Sequence, residues 1–373
     1  MALNQQGPQI HHLVTFASSF CHFIYAYCDP GDHRHQSVLE VRAFAITSIF
    51  PRRLSDVDFF SSLLDRPNAF FFVLIWLIIA RSCFFEYFMT VHRLGIVVEG
   101  GGIRGIYAAG VLDVLSDLHL PVKGVIGVSA GAIHGCSFVA GQKGRSLRFY
   151  KRFITDDRFF SFKSLIKTGN LVDTQFCYHD IPYIYDPFDN NAFMQSGIDF
   201  YVTCTNVETG QAEYLLLSDM NKEVDGLRAS ASLPYVSQIV QFRGKKLLDG
   251  GCSDRIPLKA FERLGFDRNI VISTQPREHK VKDRDAYLAK LFYRKYPQFC
   301  RVFAHSPTAY EQTQKDIDQA VNDKTAFVIR PRVSLGIKRL THSPLDVQKG
   351  YDQGRQDALN LIPTLEEWLG KYC

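Results

Sequence analysis

Nothing in this chain marks a metal centre or a disulfide scaffold. Its nine cysteines are odd in number, include no CxxC pair and show no zinc-type spacing with histidine. In a 373-residue chain that pattern reads as reduced thiols and a cytoplasmic location. The first ten residues lack lysine and arginine, and no cleavage-site pattern follows an early apolar run, which argues against a secretory signal. Basic tracts are missing too. The net charge of +5 is spread along the chain, so nucleic acid is not an expected partner, and mild attraction to anionic lipid is the most it implies. No acidic cluster has ligand spacing, so no metal, calcium included, and no organic cofactor is expected.

Long apolar runs are also absent. The longest candidate, residues 69–80, stops at Arg81, short of the roughly 20 residues that span a bilayer. Extending it to Met89 buries Arg81 and Glu86. Residues 1–88 hold no lysine and only two glycines, Gly7 and Gly31, yet 13 of the 30 phenylalanines. Such a step in composition suggests a segment of different origin. Three readings stay open for this N-terminal extension: upstream sequence translated from a start placed too early, a short membrane anchor, or a packed appendage. The position of Met89, just before the first confident strand, favours the first.

What remains is an ordinary globular composition, 46% apolar and 22% charged. Residues 94–99 read as a buried strand, 100–105 as a glycine turn and 106–118 as an amphipathic helix. Residues 122–128 repeat the strand, followed by a small-residue helix over 130–140. Two β-turn-α units in about fifty residues point to a parallel sheet covered by helices. Further strands are expected at 200–206, 212–217, 269–274 and 325–330, with a hairpin at 238–248. Helices are expected at 224–232 and 258–264, across much of 283–323, and at 346–368 with a break at Pro363. No internal repeat or linker divides the chain after Met89, so 89–373 reads as one domain.

Three short motifs carry chemistry. Gly100-Gly101-Gly102-Ile103-Arg104-Gly105 lies between a strand and a helix. It matches GxGxxG, but the acidic residue of a dinucleotide site is missing at the end of the second strand. The alternative is an oxyanion hole, in which a tight glycine turn and a helix N-terminus aim N–H groups at one point. Gly127-Val128-Ser129-Ala130-Gly131 is GxSxG at a strand-to-helix junction, the setting of a nucleophile elbow. Asp249-Gly250-Gly251 ends an apolar run and alone reads as an ordinary turn. Arg104 is balanced between holding the glycine loop, attracting a phosphate headgroup and sitting solvated at a helix start. Ser230 and Ser232 suit either a pocket wall or helix packing.

Taken in this order, the three motifs resemble the patatin-like phospholipases. The small bacterial, YjjU-like branch shares Val98-Glu99-Gly100-Gly101-Gly102, Ala229-Ser230-Ala231-Ser232-Leu233-Pro234 and His305-Ser306-Pro307-Thr308-Ala309-Tyr310. The resemblance covers residues 89–373 and implies a three-layer α/β/α domain with a mainly parallel central sheet and additional C-terminal helices. It implies hydrolysis of lipid acyl esters by a Ser–Asp dyad, with Ser129 as nucleophile and Asp249 as proton acceptor. Oxyanion donors come from the loop of Gly100, Gly101, Gly102, Arg104 and Gly105. Gly127 and Gly131 shape the elbow, and Gly250 and Gly251 follow the base. The implied partner is a lipid or phospholipid met at a membrane surface. The oligomeric state is not encoded. Two rivals remain: a Ser–Asp–His triad completed by His279, His305 or His342, and a silent lipid-binding protein on the same fold. His134, which precedes Asp249, reads as a packed or solvated histidine.

Overall fold

The first strand, β1 (Leu94–Val98), consists of apolar residues and one glycine, and every one of them is buried. Burial on both faces is what a strand inside a helix-covered parallel sheet requires. The structure, a computed structural model, describes residues 93–281, 286–338 and 341–370. The expectations for residues 1–88 lie outside them.

A 3₁₀ turn at Gly102–Gly105 leads into α1 (Ile106–Asp117), and β2 (Gly124–Val128) runs into α2 (Ala130–Val139). Next come α3 (Arg145–Phe153), α4 (Phe162–Thr168), a π-helical segment (Phe176–Tyr185) and α5 (Asn190–Gln195). Pro182 lies inside the π-helical segment, where it supplies no N–H for a regular α-turn. The antiparallel pair β3 (Asp199–Asn206) and β4 (Ala212–Leu217) precedes α6 (Met220–Ser230). The hairpin of β5 (Val240–Phe242) and β6 (Lys245–Asp249) turns through Arg243 and Gly244, both at positive φ. Then follow α7 (Leu258–Arg263), β7 (Arg268–Ile272), α8 (Ala286–Phe292), α9 (Pro297–Asn322), β8 (Ala326–Ile329) and α10 (Pro344–Trp368).

Strand β1 pairs in parallel with β2 and with β7, β2 in parallel with β3, and β7 in parallel with β8. This is a mixed α/β domain whose central sheet is mainly parallel, as expected. Two expected helices differ from those found. Helix α6 starts at Met220, four residues earlier, because Asp219 caps it by accepting from the Asn221 N–H. Helix α10 runs unbroken through Pro363. A proline there frees the carbonyl of Leu359, an exposed residue, so water takes its place at small cost.

Helix α1 is buried from Ile106 to Leu115 because α10 covers the side that the sheet does not. The two helices cross at backbone contact. A Cβ on Gly110 would overlap the carbonyl oxygen of Tyr351, and one on Gly354 would overlap that of Tyr107. The same two tyrosines brace the crossing. Tyr107 donates its hydroxyl to Asp357 (2.9 Å) and Tyr351 donates to Asp113 (2.7 Å). Burial pushes both phenol pKa values up, so both remain donors.

Candidate active site

Sheet register brings Ser129 and Asp249 together. Along β3, residues 200–205 pair with β4 on one edge. The other edge is shared: β2 pairs with residues 199–203 and β6 with residues 204–206. The carboxyl ends of β2 and β6 therefore meet head to head. Val128 faces Thr203 and Asp249 faces Cys204, neighbouring positions on one strand. Residues 120 positions apart in sequence are joined by antiparallel pairing, which no local motif announces.

At the end of β2 the backbone of Ser129 takes φ 56 and ψ −126. Positive φ is unfavourable for a residue with a side chain and costs on the order of 1–3 kcal/mol. Its surroundings hold it there. The Ser129 N–H donates to Ser230 Oγ (2.9 Å), and that hydroxyl donates to the Thr203 carbonyl (2.7 Å). Close packing does the rest. A Cβ on Gly131 would overlap the Val98 carbonyl, and one on Gly127 would overlap the Ala132 backbone. Both elbow glycines are thus required by space.

Asp249 is almost fully buried. Its Oδ1 accepts from the Gly251 N–H (2.7 Å), its own N–H donates to the Ser232 carbonyl (2.8 Å), and its carbonyl accepts from Thr205 Oγ1 (2.9 Å). Its Oδ2 is buried and accepts no hydrogen bond among the described residues. Gly250 is pressed against the Thr203 carbonyl, where a Cβ would not fit. The carboxylate is fixed by one oxygen and leaves the other free to take a proton.

The glycine loop lies against the elbow. A Cβ on Gly100 would stand 2.7 Å from the Val128 carbonyl oxygen and 2.9 Å from the Ser129 Cβ, and one on Gly105 would stand 2.7 Å from the Ala130 Cβ. Gly101 packs on Thr274, and Gly102, at φ 60, begins a 3₁₀ turn that no side chain caps. Sequence reasoning missed what fastens this loop. Glu99, buried at the end of β1, accepts from Ser273 Oγ (2.5 Å), Thr274 N–H (2.7 Å) and Tyr310 hydroxyl (3.1 Å). Thr274 Oγ1 donates to the Gly100 carbonyl (2.9 Å). Gln275, with its amide oxygen toward Arg104, accepts from Nη1 (2.6 Å) and Nη2 (2.9 Å) of that guanidinium. Of the readings open for Arg104, this geometry matches the one that holds the loop. The only sequence signal for the anchor was a charged residue directly after a buried strand.

Gly102, Ile103, Ser129 and Ala130 line one pocket together with Phe149, Phe160, Ile181, Leu227 and Leu233. Its cavity of about 140 Å³ is far larger than the ~15 Å³ that one water needs. Arg145 is the only charged side chain in the wall, and its guanidinium pairs with Asp186 (3.4 Å) and with the Asp186 carbonyl (2.9 Å). Ser230 and Ser232 do not line the pocket. Ser230 fastens the elbow, and Ser232 Oγ donates to the Arg228 carbonyl (2.8 Å).

Among the described residues no histidine hydrogen-bonds to Ser129 or Asp249. His305 Nδ1 contacts the Arg301 carbonyl one turn back on α9, and His342 Nδ1 contacts the Ile154 carbonyl. His279 stands by Tyr310, and burial and the Arg104 charge hold its pKa below the ordinary value. His134 is packed, with Nδ1 on Ser146 Oγ (2.9 Å), and burial pushes its pKa down to about 3. It therefore stays neutral in the folded protein, while the unfolded chain protonates below pH ~6.5. Its contribution to stability is complete above that pH and falls as pH drops toward 3. Urea denaturation at pH 7 and pH 4 should show His134→Gln losing less stability on acidification than wild type. The difference is up to about 1.4 kcal/mol per pH unit below 6.5.

Residues 96–262 match the family model of patatin-like phospholipases, and residues 296–370 match a domain of unknown function (DUF6363). An uncharacterised protein of Escherichia coli, YjjU, is 28% identical over 292 residues, covering 74% of this chain and 79% of that one. Lysophospholipase nte1 of Emericella nidulans is 30% identical over 181 residues, and that of Aspergillus terreus 28%. Each of those matches covers 47% of this chain, and the chain spans only 11% of the length of each fungal relative. Among the described residues no helix is long and apolar enough to cross a membrane. With the patatin-like match over the elbow, the glycine loop and the Asp249 turn, residues 96–262 form a patatin-like phospholipase domain, and the chain that carries it is similar to YjjU over most of its length.

Proposed function

We propose that the domain formed by residues 89–373 hydrolyses carboxylic esters of lipids through Ser129 and Asp249. The observation that carries this reading is the head-to-head meeting of β2 and β6, which brings an elbow serine that lines an apolar pocket toward a buried carboxylate. Asp249 Oδ2 takes the hydroxyl proton as Ser129 Oγ attacks the ester carbonyl. The backbone N–H groups of Gly101, Gly102 and Ala130 receive the oxyanion, each worth about 10²–10³ in rate if typical of such donors. Collapse of the tetrahedral intermediate transfers the proton to the departing alcohol and leaves an acyl ester on Ser129. Asp249 then deprotonates a water, which attacks that ester, and returns the proton to the departing Ser129 Oγ as the fatty acid is released. The apolar pocket takes the acyl chain, and the fungal lysophospholipases place phospholipid or lysophospholipid among the substrates to try.

A fluorophosphonate probe tests the assignment. Wild type should label covalently, and Ser129→Ala should not. Absence of wild-type labelling would leave the silent lipid-binding reading standing, and labelling that survives Ser129→Ala would move the nucleophile elsewhere. Separate alanine replacement of His279, His305 and His342 should leave labelling unchanged. A loss of several thousandfold at one of them would restore the triad.

A further inference from the structure

Large apolar side chains are exposed on three segments around the pocket. Phe162 (72% exposed) and Ile166 (87%) lie one turn apart on α4, Tyr183 and Ile184 end the π-helical segment, and Tyr287 (75%) and Phe292 (63%) lie on α8. Monomer surfaces rarely expose such residues in a group. The π-helical segment and the residues before α4 adjoin the pocket, and α8 lies next to the chain that follows its lining. Tyr183 is both a lining residue and exposed, Phe160 lines the pocket just before α4, and Leu233 lines it just before the segment 235–238.

That segment stitches α4 to α8. Leu171 N–H donates to the Val236 carbonyl (2.7 Å), and Gln238 N–H donates to Asn170 Oδ1 (2.8 Å). On the other side Tyr235 N–H donates to the Tyr293 hydroxyl oxygen (2.8 Å), and the Tyr235 ring meets Phe292 edge-on at 5.4 Å. Charge selects the partner. Lys167 on α4, and Lys290, Arg294 and Lys295 on and after α8, are exposed, as is Lys163, which pairs with Asp157 (2.8 Å), and residues 162–168 and 286–296 contain no acidic residue. Apolar side chains interleaved with cations are the composition of a surface that lies in the headgroup layer of an anionic membrane.

We propose that α4, the end of the π-helical segment and α8 form a docking surface for an anionic bilayer, which places the pocket rim at the lipid headgroups. This rests on the lipid-hydrolase reading of the pocket. The insertion is shallow and peripheral: apolar side chains enter the acyl boundary while the lysines and Arg294 meet lipid phosphates.

Co-sedimentation with mixed phosphatidylcholine–phosphatidylglycerol vesicles tests it, with turnover of a dispersed short-chain nitrophenyl ester measured in parallel. Wild type should bind the mixed vesicles at least about tenfold more tightly than pure phosphatidylcholine vesicles. Ile166→Glu combined with Tyr287→Glu, and separately Lys167→Glu combined with Lys290→Glu, should each weaken vesicle binding by about tenfold or more. Ester turnover should stay within about twofold, which also reports that the variants fold. Variants that bind like wild type, or a wild type indifferent to anionic lipid, would overturn the proposal. So would a dimer in solution that Ile166→Glu converts to monomer, because a second copy would then be the occupant. A wild type that binds vesicles but turns over no ester would defeat the hydrolase reading and leave the docking surface intact.

Discussion

Asp249→Asn is expected to lower turnover of a lipid ester by about three to four orders of magnitude, and Ser129→Ala by at least as much. Asparagine keeps the shape of the side chain and can still accept from the Gly251 N–H. What it cannot do is take the proton of Ser129. On the proposed mechanism the two residues act in one step, so the double variant should be no slower than the worse single variant. Steady-state turnover of the three proteins checks this, and multiplicative losses would show that the residues act separately. Stability separates chemistry from structure. Ser129→Ala keeps the Cβ and with it the strain of φ 56. Ser129→Gly relieves that strain and should raise the unfolding free energy by about 1 kcal/mol, although it is equally inactive.

The second large effect lies far from the chemistry. Gly354→Ala should destabilise the domain by about 4 kcal/mol or more, and Gly110→Ala by a similar amount. In each case the new methyl group meets a carbonyl oxygen of the opposing helix, not the end of a flexible side chain. The helices can make room only by separating, and that opens the contacts of Tyr107 with Asp357 and of Tyr351 with Asp113. Gly141→Ala is the control. Unlike Gly110 and Gly354 it has positive φ, but nothing lies within 4 Å of the added Cβ, so the change should cost only about 1 kcal/mol. Denaturant midpoints of the three variants test the contrast, and a Gly354→Ala protein as stable as Gly141→Ala would refute it.

The parts of the fold that were legible in the sequence are those that local pattern determines. Buried strands such as Val125–Val128 and the glycines around Ser129 mark themselves, because an apolar run ending in a tight turn has few other uses. Asp249 was legible only through its order after the other two motifs. Its meeting with Ser129 depends on register along β3, which is encoded in no short stretch. The anchors of the glycine loop were hidden for the same reason. Thr274 and Gln275 follow a strand that lies beside β1 in space and far from it in sequence. The start of α6 was misplaced because Asp219 as a cap looks like any loop aspartate until its N–H partner is known. The break expected at Pro363 failed because a proline's cost depends on whether water can reach the carbonyl it frees.

The crossing of α1 and α10 also sets the order in which the domain can be made. Among the described elements, helix α1 is made early, and α10, which covers it, is made last. Strand β1 likewise waits for β7 to close its second edge. During synthesis an apolar helix of the domain therefore stays uncovered, and a central strand keeps one edge unpaired. Contacts this distant along the chain form slowly, and the waiting intermediate exposes the surfaces that aggregate. Final assembly must await synthesis of α10, so chaperone demand should fall on this long wait more than on the strained turn at Ser129.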